Sequence, residues 1–252
     1  FPVVIGSLTT IVIFALVRVI GGTSAGLLAS LFFAICLPIV FRGTIGWFKS
    51  EPLGLFYGLL AVYLLLSGIK SSGDKTSIAR VAGAGILMAF GLASWGGILF
   101  FIMPIGIFFL ALPFLRKDNN FIICASIIFT ATFVLITMSF EKTGISFASS
   151  LSGFFLIGCT VFLIVANLFK KISSKSQIRN SFAILGGAVI AGLVIISSGV
   201  INLPAFRYLN AANPFLITTE MLTDSVSEHA STSTELSFMF FSILMIFAGI
   251  GA

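Results

Sequence analysis

Apolar runs of about 20 residues recur along this chain, and a helix of roughly that length crosses a hydrocarbon core of ~30 Å. Divided at their polar interruptions, they predict helices near 2–20, 25–41, 52–69, 78–94, 96–115, 121–140, 147–169, 181–201 and 236–251. A soluble domain of this size would need far more charge on its surface than the 9% charged residues found here, against 58% hydrophobic. The predicted class is therefore an all-α polytopic membrane protein with about nine spans. Small residues recur within them, as in GAGILMAFG (83–91) and GGAVIAG (186–192), a spacing that lets helices approach closely.

Basic residues orient the set, because loops rich in Lys and Arg stay on the cytoplasmic side. One side carries Arg18, Lys70, Lys75, Arg80, Arg116, Lys117, Lys170, Lys171, Lys175 and Arg179 with Asp74 and Asp118. The other carries Arg42, Lys49, Lys142 and Arg207 with Glu51, Glu141, Glu220, Asp224, Glu228 and Glu235. The first side is expected to be cytoplasmic and the acidic loops external. The net charge of +6 then reflects anchors beside anionic membrane lipids, with no basic-aromatic groove for nucleic acid. Six of the eight carboxylates lie on the outer face, so any chemistry is expected there. Span centres without charge argue against a transporter or channel, whose pathway is marked by ionisable groups at mid-membrane. Cys36, Cys124 and Cys159 lie far apart in apolar segments, without metal-ligand spacing, and read as small lipid- or core-facing residues.

Two outer connections are not simple turns. In FRGTIGWFKSEPLG (41–54), Ser50-Glu51-Pro52 reads as a helix start, with Glu51 in the first turn where the helix dipole favours an anion. The plain alternative is an interfacial turn with an acidic cap. The second connection, 202–235, is long for a compact protein and carries Asp224, Glu228 and the only histidine, His229. Ser225 and Glu228 have the spacing of a capping box, and a carboxylate fixed by a cap is also a preorganised ligand. Carboxylates and water suit Mg²⁺ or Mn²⁺, but no HExxH, P-loop, GxSxG or CxxC pattern anchors another chemistry. Composition and spacing leave the function open.

FRGTIGWFKSE, SWGG (94–97), FRYLNAANPF (206–215) and SVSEH (225–229), in that order, resemble the catalytic subunit of oligosaccharyltransferase. The resemblance covers nearly the whole chain and implies part of the membrane domain of a GT-C-type glycosyltransferase. It implies inverting transfer of a glycan from a lipid-linked oligosaccharide, on dolichol phosphate or pyrophosphate, to Asn of Asn-X-Ser/Thr in an acceptor polypeptide. It further implies Mg²⁺ or Mn²⁺ held by Glu51 and Glu228, which are also the catalytic carboxylates. Ser225, Val226, Ser227 and His229 would lie along the acceptor, and Arg42, Lys49 and Arg207 in the donor-phosphate region. Trp95, Gly96 and Gly97 are expected to pack helices.

One position departs from the pattern. The family's second acidic motif is Asp-X-Asp or Asp-X-Glu, and here it reads Lys49-Ser50-Glu51. An ammonium beside one positive charge is repelled by roughly 4 kcal/mol at about 4 Å and an effective dielectric of about 20, and twice that beside a dication. Three arrangements are open: Lys49 points away, as a snorkelling anchor does; it replaces part of the metal's charge at the donor phosphate; or the chain is a non-catalytic homologue or subunit. The second is preferred. A different polyprenyl-phosphate glycosyltransferase is a further alternative, against which SVSEH argues. The chain is read as a piece of a longer protein, lacking the family's first acidic motif and its soluble C-terminal domain. An archaeal plasma membrane, with the active face outside, is preferred to the endoplasmic reticulum.

Overall fold

The computed structural model describes residues 2–36, 39–40, 50–71, 75–115, 120–141, 143–144, 147, 150–172 and 177–197. By Cα proximity the chain forms two compact units, Phe1–Ile184 and Leu185–Ala252. The described residues form helices and turns, and six of the helices are long and apolar enough to cross a membrane. The fold is that of a multi-pass α-helical membrane protein. Of the spans read from the sequence, the one at 236–251 lies outside the described residues.

The first helical segment, α1 (Pro2–Ile35), is two arms rather than one rod. Gly22 takes φ 86°, a left-handed value open to glycine at little cost, and breaks the helix there. The arms then fold onto each other: a methyl group at Gly26 would lie 2.8 Å from the Phe14 carbonyl oxygen and 3.3 Å from the Arg18 nitrogen. The separate runs at 2–20 and 25–41 thus share one segment that turns back at a glycine. The outer surface of α1 is apolar and exposed, with Val3, Ile11, Ile20 and Leu27 all more than half accessible, as lipid-facing residues are.

Five helices follow in the first unit: α2 (Glu51–Lys70), α3 (Lys75–Ser94), α4 (Leu99–Leu115), α5 (Asn120–Met138) and α6 (Leu151–Ile172). A seventh, α7, covers Gln177–Ser197. The pairing of α2 with α3 is the most extensive, followed by α3 with α5. On α2 the buried residues are Gly54, Gly58, Ala61, Leu65 and Gly68, a repeat of alternating four and three residues that keeps one small-residue seam on α3. The register is antiparallel, since Gly54 faces Trp95 while Gly68 faces Val81 and Ser77. Phe129, Phe133 and Thr132 of α5 meet Gly85, while Phe140 beyond α5 meets Phe90, so α3 and α5 run parallel. Gly106 against Phe155 and Phe114 against Phe162 show the same for α4 and α6.

Within GAGILMAFG, then, Gly85 and Gly91 are close-approach points. In GGAVIAG, no described residue lies within 4 Å of a methyl group built at Gly186, Gly187 or Gly192.

The core of this unit is aromatic. Phe109, Phe129 and Phe133 are fully buried, with Phe109 edge-on to Phe129 at 6.3 Å and Phe133 edge-on to Phe147 at 5.1 Å. One buried polar link joins α5 to α6, the Thr130 and Thr160 hydroxyls 2.9 Å apart. The last of these helices starts later than the 147–169 run implies. Ser150 stops the preceding turn, its hydroxyl accepting from the Gly153 N–H at 3.2 Å as an N-cap.

Alternation of direction sorts the charges of the first unit to two ends. Arg18, Lys70, Lys75, Arg80 and Arg179 stand at one end, Glu51 and Glu141 at the other. At the basic end Ser71 and Ser77 close the turn between α2 and α3, their hydroxyls 2.9 Å apart, and Arg80 Nη1 donates to Ser71 Oγ at 3.2 Å.

Candidate functional site

The acidic end is built around the start of α2. Ser50 occupies the N-cap position with φ −72° and ψ −18°, and its carbonyl accepts from the Gly54 N–H at 2.9 Å. Its side chain makes no capping hydrogen bond. Glu51 and Pro52 open the helix, as Ser-Glu-Pro implies, because proline needs no N–H partner in the first turn. Glu51 is half-buried, in the first turn of the helix.

One turn further along, Gly54 brings this helix start against the end of α3. Trp95 closes α3 by donating its N–H to the Gly91 carbonyl at 2.8 Å, then turns extended (φ −151°, ψ 126°). A short 3₁₀ turn, Gly96–Ile98, leads into α4. A methyl group on Gly54 would fall 2.5 Å from Trp95 Cβ, and one on Gly97 would fall within the Trp95 indole. Ile98, fully buried, fills the space between Gly58 and Gly91. Trp95 therefore does pack against α2, Gly97 makes room for its indole, and a methyl group at Gly96 would meet no described residue within 4 Å; through Gly54, Trp95 fixes where Glu51 emerges. A line of rings continues from Tyr57 to Phe90 (6.1 Å) and Phe140 (5.5 Å), placing the end of α5 and Glu141 on the same side.

Since Trp95 Cβ is held by the backbone, it cannot swing away from a new side chain at Gly54. Gly54→Val is expected to part α2 from Trp95 and wet the indole. The check is the Trp95 contribution to the emission, taken as the difference between each protein and its Trp95→Phe counterpart: a red shift of several nanometres is expected, and an unchanged difference spectrum would refute the contact.

The other sequence-derived candidates, Arg42, Lys49, Arg207, Ser225, Val226, Ser227, Glu228 and His229, lie outside the described residues. Among the described residues no three His, Cys, Asp or Glu side chains gather as a metal centre. Glu51 is the member of the expected pair found there, a hard oxygen donor at the start of its helix.

The sequence model of the family described as "Oligosaccharyl transferase STT3, N-terminal" matches residues 1–249. The chain belongs to this family. STT3B subunits of dolichyl-diphosphooligosaccharide–protein glycosyltransferase are among its relatives. The rice protein is 27% identical over 94% of the chain and the Arabidopsis thaliana protein 25% over 95%. The chain spans about a third of the length of these STT3 relatives, 34% and 33%. In fold it is similar to the archaeal oligosaccharyltransferase AglB from Archaeoglobus fulgidus, solved with an inhibitory peptide and a dolichol-phosphate. There the TM-score is 0.72 at 16% identity, over all of this chain and 32% of AglB. The apo form of the A. fulgidus enzyme gives 0.71 at 16% identity, over 99% of this chain and 32% of that one.

Proposed function

We propose that the protein containing this chain transfers an oligosaccharide from a dolichol phosphate or pyrophosphate to Asn in Asn-X-Ser/Thr, with inversion. The family match over residues 1–249 carries this reading. The peptide and dolichol-phosphate named with AglB are the two substrate classes it requires. The basic end, with Arg18, Lys70 and Lys75, faces the cytoplasm, and the Glu51 end faces outward.

In this reading Glu51 and Glu228 hold Mg²⁺ or Mn²⁺, and Glu228 also orients the acceptor carboxamide. When bound, the ion offsets charge on the leaving phosphate. Arg42, Lys49 and Arg207 pair with the donor phosphates, while Ser225, Val226, Ser227 and His229 line the acceptor. Lys49, two residues before Glu51, supplies cationic charge to the donor and lessens dependence on the metal. The same lysine supports a second reading, a homologue that binds without transferring.

Full-length protein in membranes, lipid-linked donor and a labelled Asn-X-Thr peptide separate the two. Transfer by the wild type, reduced ~10²–10³-fold in Glu228→Ala, is expected. Partial survival in EDTA, and a stronger metal requirement in Lys49→Asp, would support the role given to Lys49. Wild-type silence with activity in Lys49→Asp would favour the second reading, as would silence in both beside an active control enzyme.

A further inference from the structure

At the opposite end of α2, a cavity of about 310 Å³ opens between α1 and α2, lined by Phe14, Ala15, Arg18, Val19, Tyr63 and Lys70. Its size lies at the lower limit of ligand pockets, roughly 300 Å³. We propose that this cavity is a phosphate-binding site that takes the headgroup of an anionic phospholipid.

The two cations are exposed, and each has one contact that orients it. Lys70 Nζ donates to the Val19 carbonyl at 2.9 Å, which ties the ammonium to the first arm of α1 and leaves two of its three N–H groups. The Arg18 guanidinium stands 6.0 Å from the centre of the Phe14 ring, a cation–π approach that leaves its N–H edge for a bidentate phosphate. The carboxylates among the described residues, Glu51 and Glu141, belong to the other end, while Asp74 and Asp118, which the sequence places in the loops at this end, lie outside the described residues. Two like charges bordering one cavity repel, and a phosphodiester between them turns that repulsion into attraction.

The walls select the source of the phosphate. Phe14, Ala15 and Val19 are apolar, Tyr63 adds a phenol, and Ile11 and Ile20 on the same arm are 61% and 71% exposed. A free phosphate uses none of that surface. A phospholipid places its diester between the cations and its glycerol and chains along the apolar arm, the arrangement in which basic pockets between membrane helices hold anionic headgroups. The site is separate from the one around Glu51. The 20 residues of α2 put about 30 Å between them at ~1.5 Å per residue, and the inference does not depend on the reaction proposed above.

The test uses full-length protein in nanodiscs of phosphatidylcholine with a minor fraction of phosphatidylglycerol, then native mass spectrometry of the lipids retained in detergent. Wild type is expected to retain phosphatidylglycerol with about tenfold preference, equivalent to ~1.4 kcal/mol. Arg18→Gln/Lys70→Gln should bring the preference close to one. Lys75→Gln, at the same end but outside the cavity, should leave it intact. Arg18→Lys/Lys70→Arg, which preserves charge, should keep most of it, and matching unfolding temperatures exclude a folding defect. An unchanged preference in the double Gln variant would overturn the site. So would an equal loss in Lys75→Gln, which would mean general surface charge, or displacement of the lipid by inorganic phosphate.

Discussion

Glu51→Gln in the full-length protein is expected to lower glycan transfer by about two orders of magnitude, a typical loss when one preorganised electrostatic contact to a transition state is removed. The substitution keeps the shape of the side chain and removes its charge. Its structural cost is small by comparison: a carboxylate in a first helical turn is worth ~0.3–1 kcal/mol, and Pro52 and the Ser50 carbonyl still start the helix. A hundredfold rate loss corresponds to about 2.7 kcal/mol, well above that range, so the two effects separate. The measurements are initial transfer rates and the unfolding temperature of the same preparation. Activity within threefold of wild type would remove Glu51 from the site. A fall in rate matched by a large fall in unfolding temperature would assign it to the fold instead.

The largest effect on stability is expected at Gly85. A methyl group there would meet the Phe129 carbonyl oxygen at 2.7 Å and the Phe133 nitrogen at 2.9 Å, and would strike the Thr132 hydroxyl. Backbone atoms cannot rotate aside, so α3 and α5 must separate. Overpacking of this kind costs roughly 1–3 kcal/mol for small additions. Gly85→Leu adds a branched side chain at the same point, on the helix that also packs along α2, and should leave little monodisperse protein. Gly158→Leu is the control, since a methyl group there meets nothing described within 4 Å. Unfolding temperatures by size-exclusion chromatography decide it: equal values for the two variants would mean that the α3–α5 approach is not tight.

The all-α membrane class was legible because lipid admits few solutions for a backbone, and long apolar runs signal it without tertiary information. Thus the run at 52–69 falls within α2, while the cap by Ser150 moves the start of α6 beyond the residue where hydropathy begins to rise. Gly22 was less legible, since its backbone angle, not its hydropathy, folds α1 back. The seam Gly54–Gly58–Ala61–Leu65–Gly68 was written in small-residue spacing, yet only the partner Trp95 gives Gly54 its importance. For the site, Ser-Glu-Pro marked the position of Glu51 on its helix. The rest of that reading rests on motifs in segments distant in sequence, whose juxtaposition no local period encodes.

Arg18 is the only charged residue among the first 41, and the two arms of α1 meet at Gly22 within four residues of it. Since Gly26 seats against Phe14 next to that bend, each arm completes the other's packing. Neither arm is then fully packed without the other, and the bend at Gly22 sets that pairing. Neutralising Arg18 therefore alters a pocket in the finished protein, whereas a side chain at Gly22 would disturb the pairing that places the arm lining that pocket.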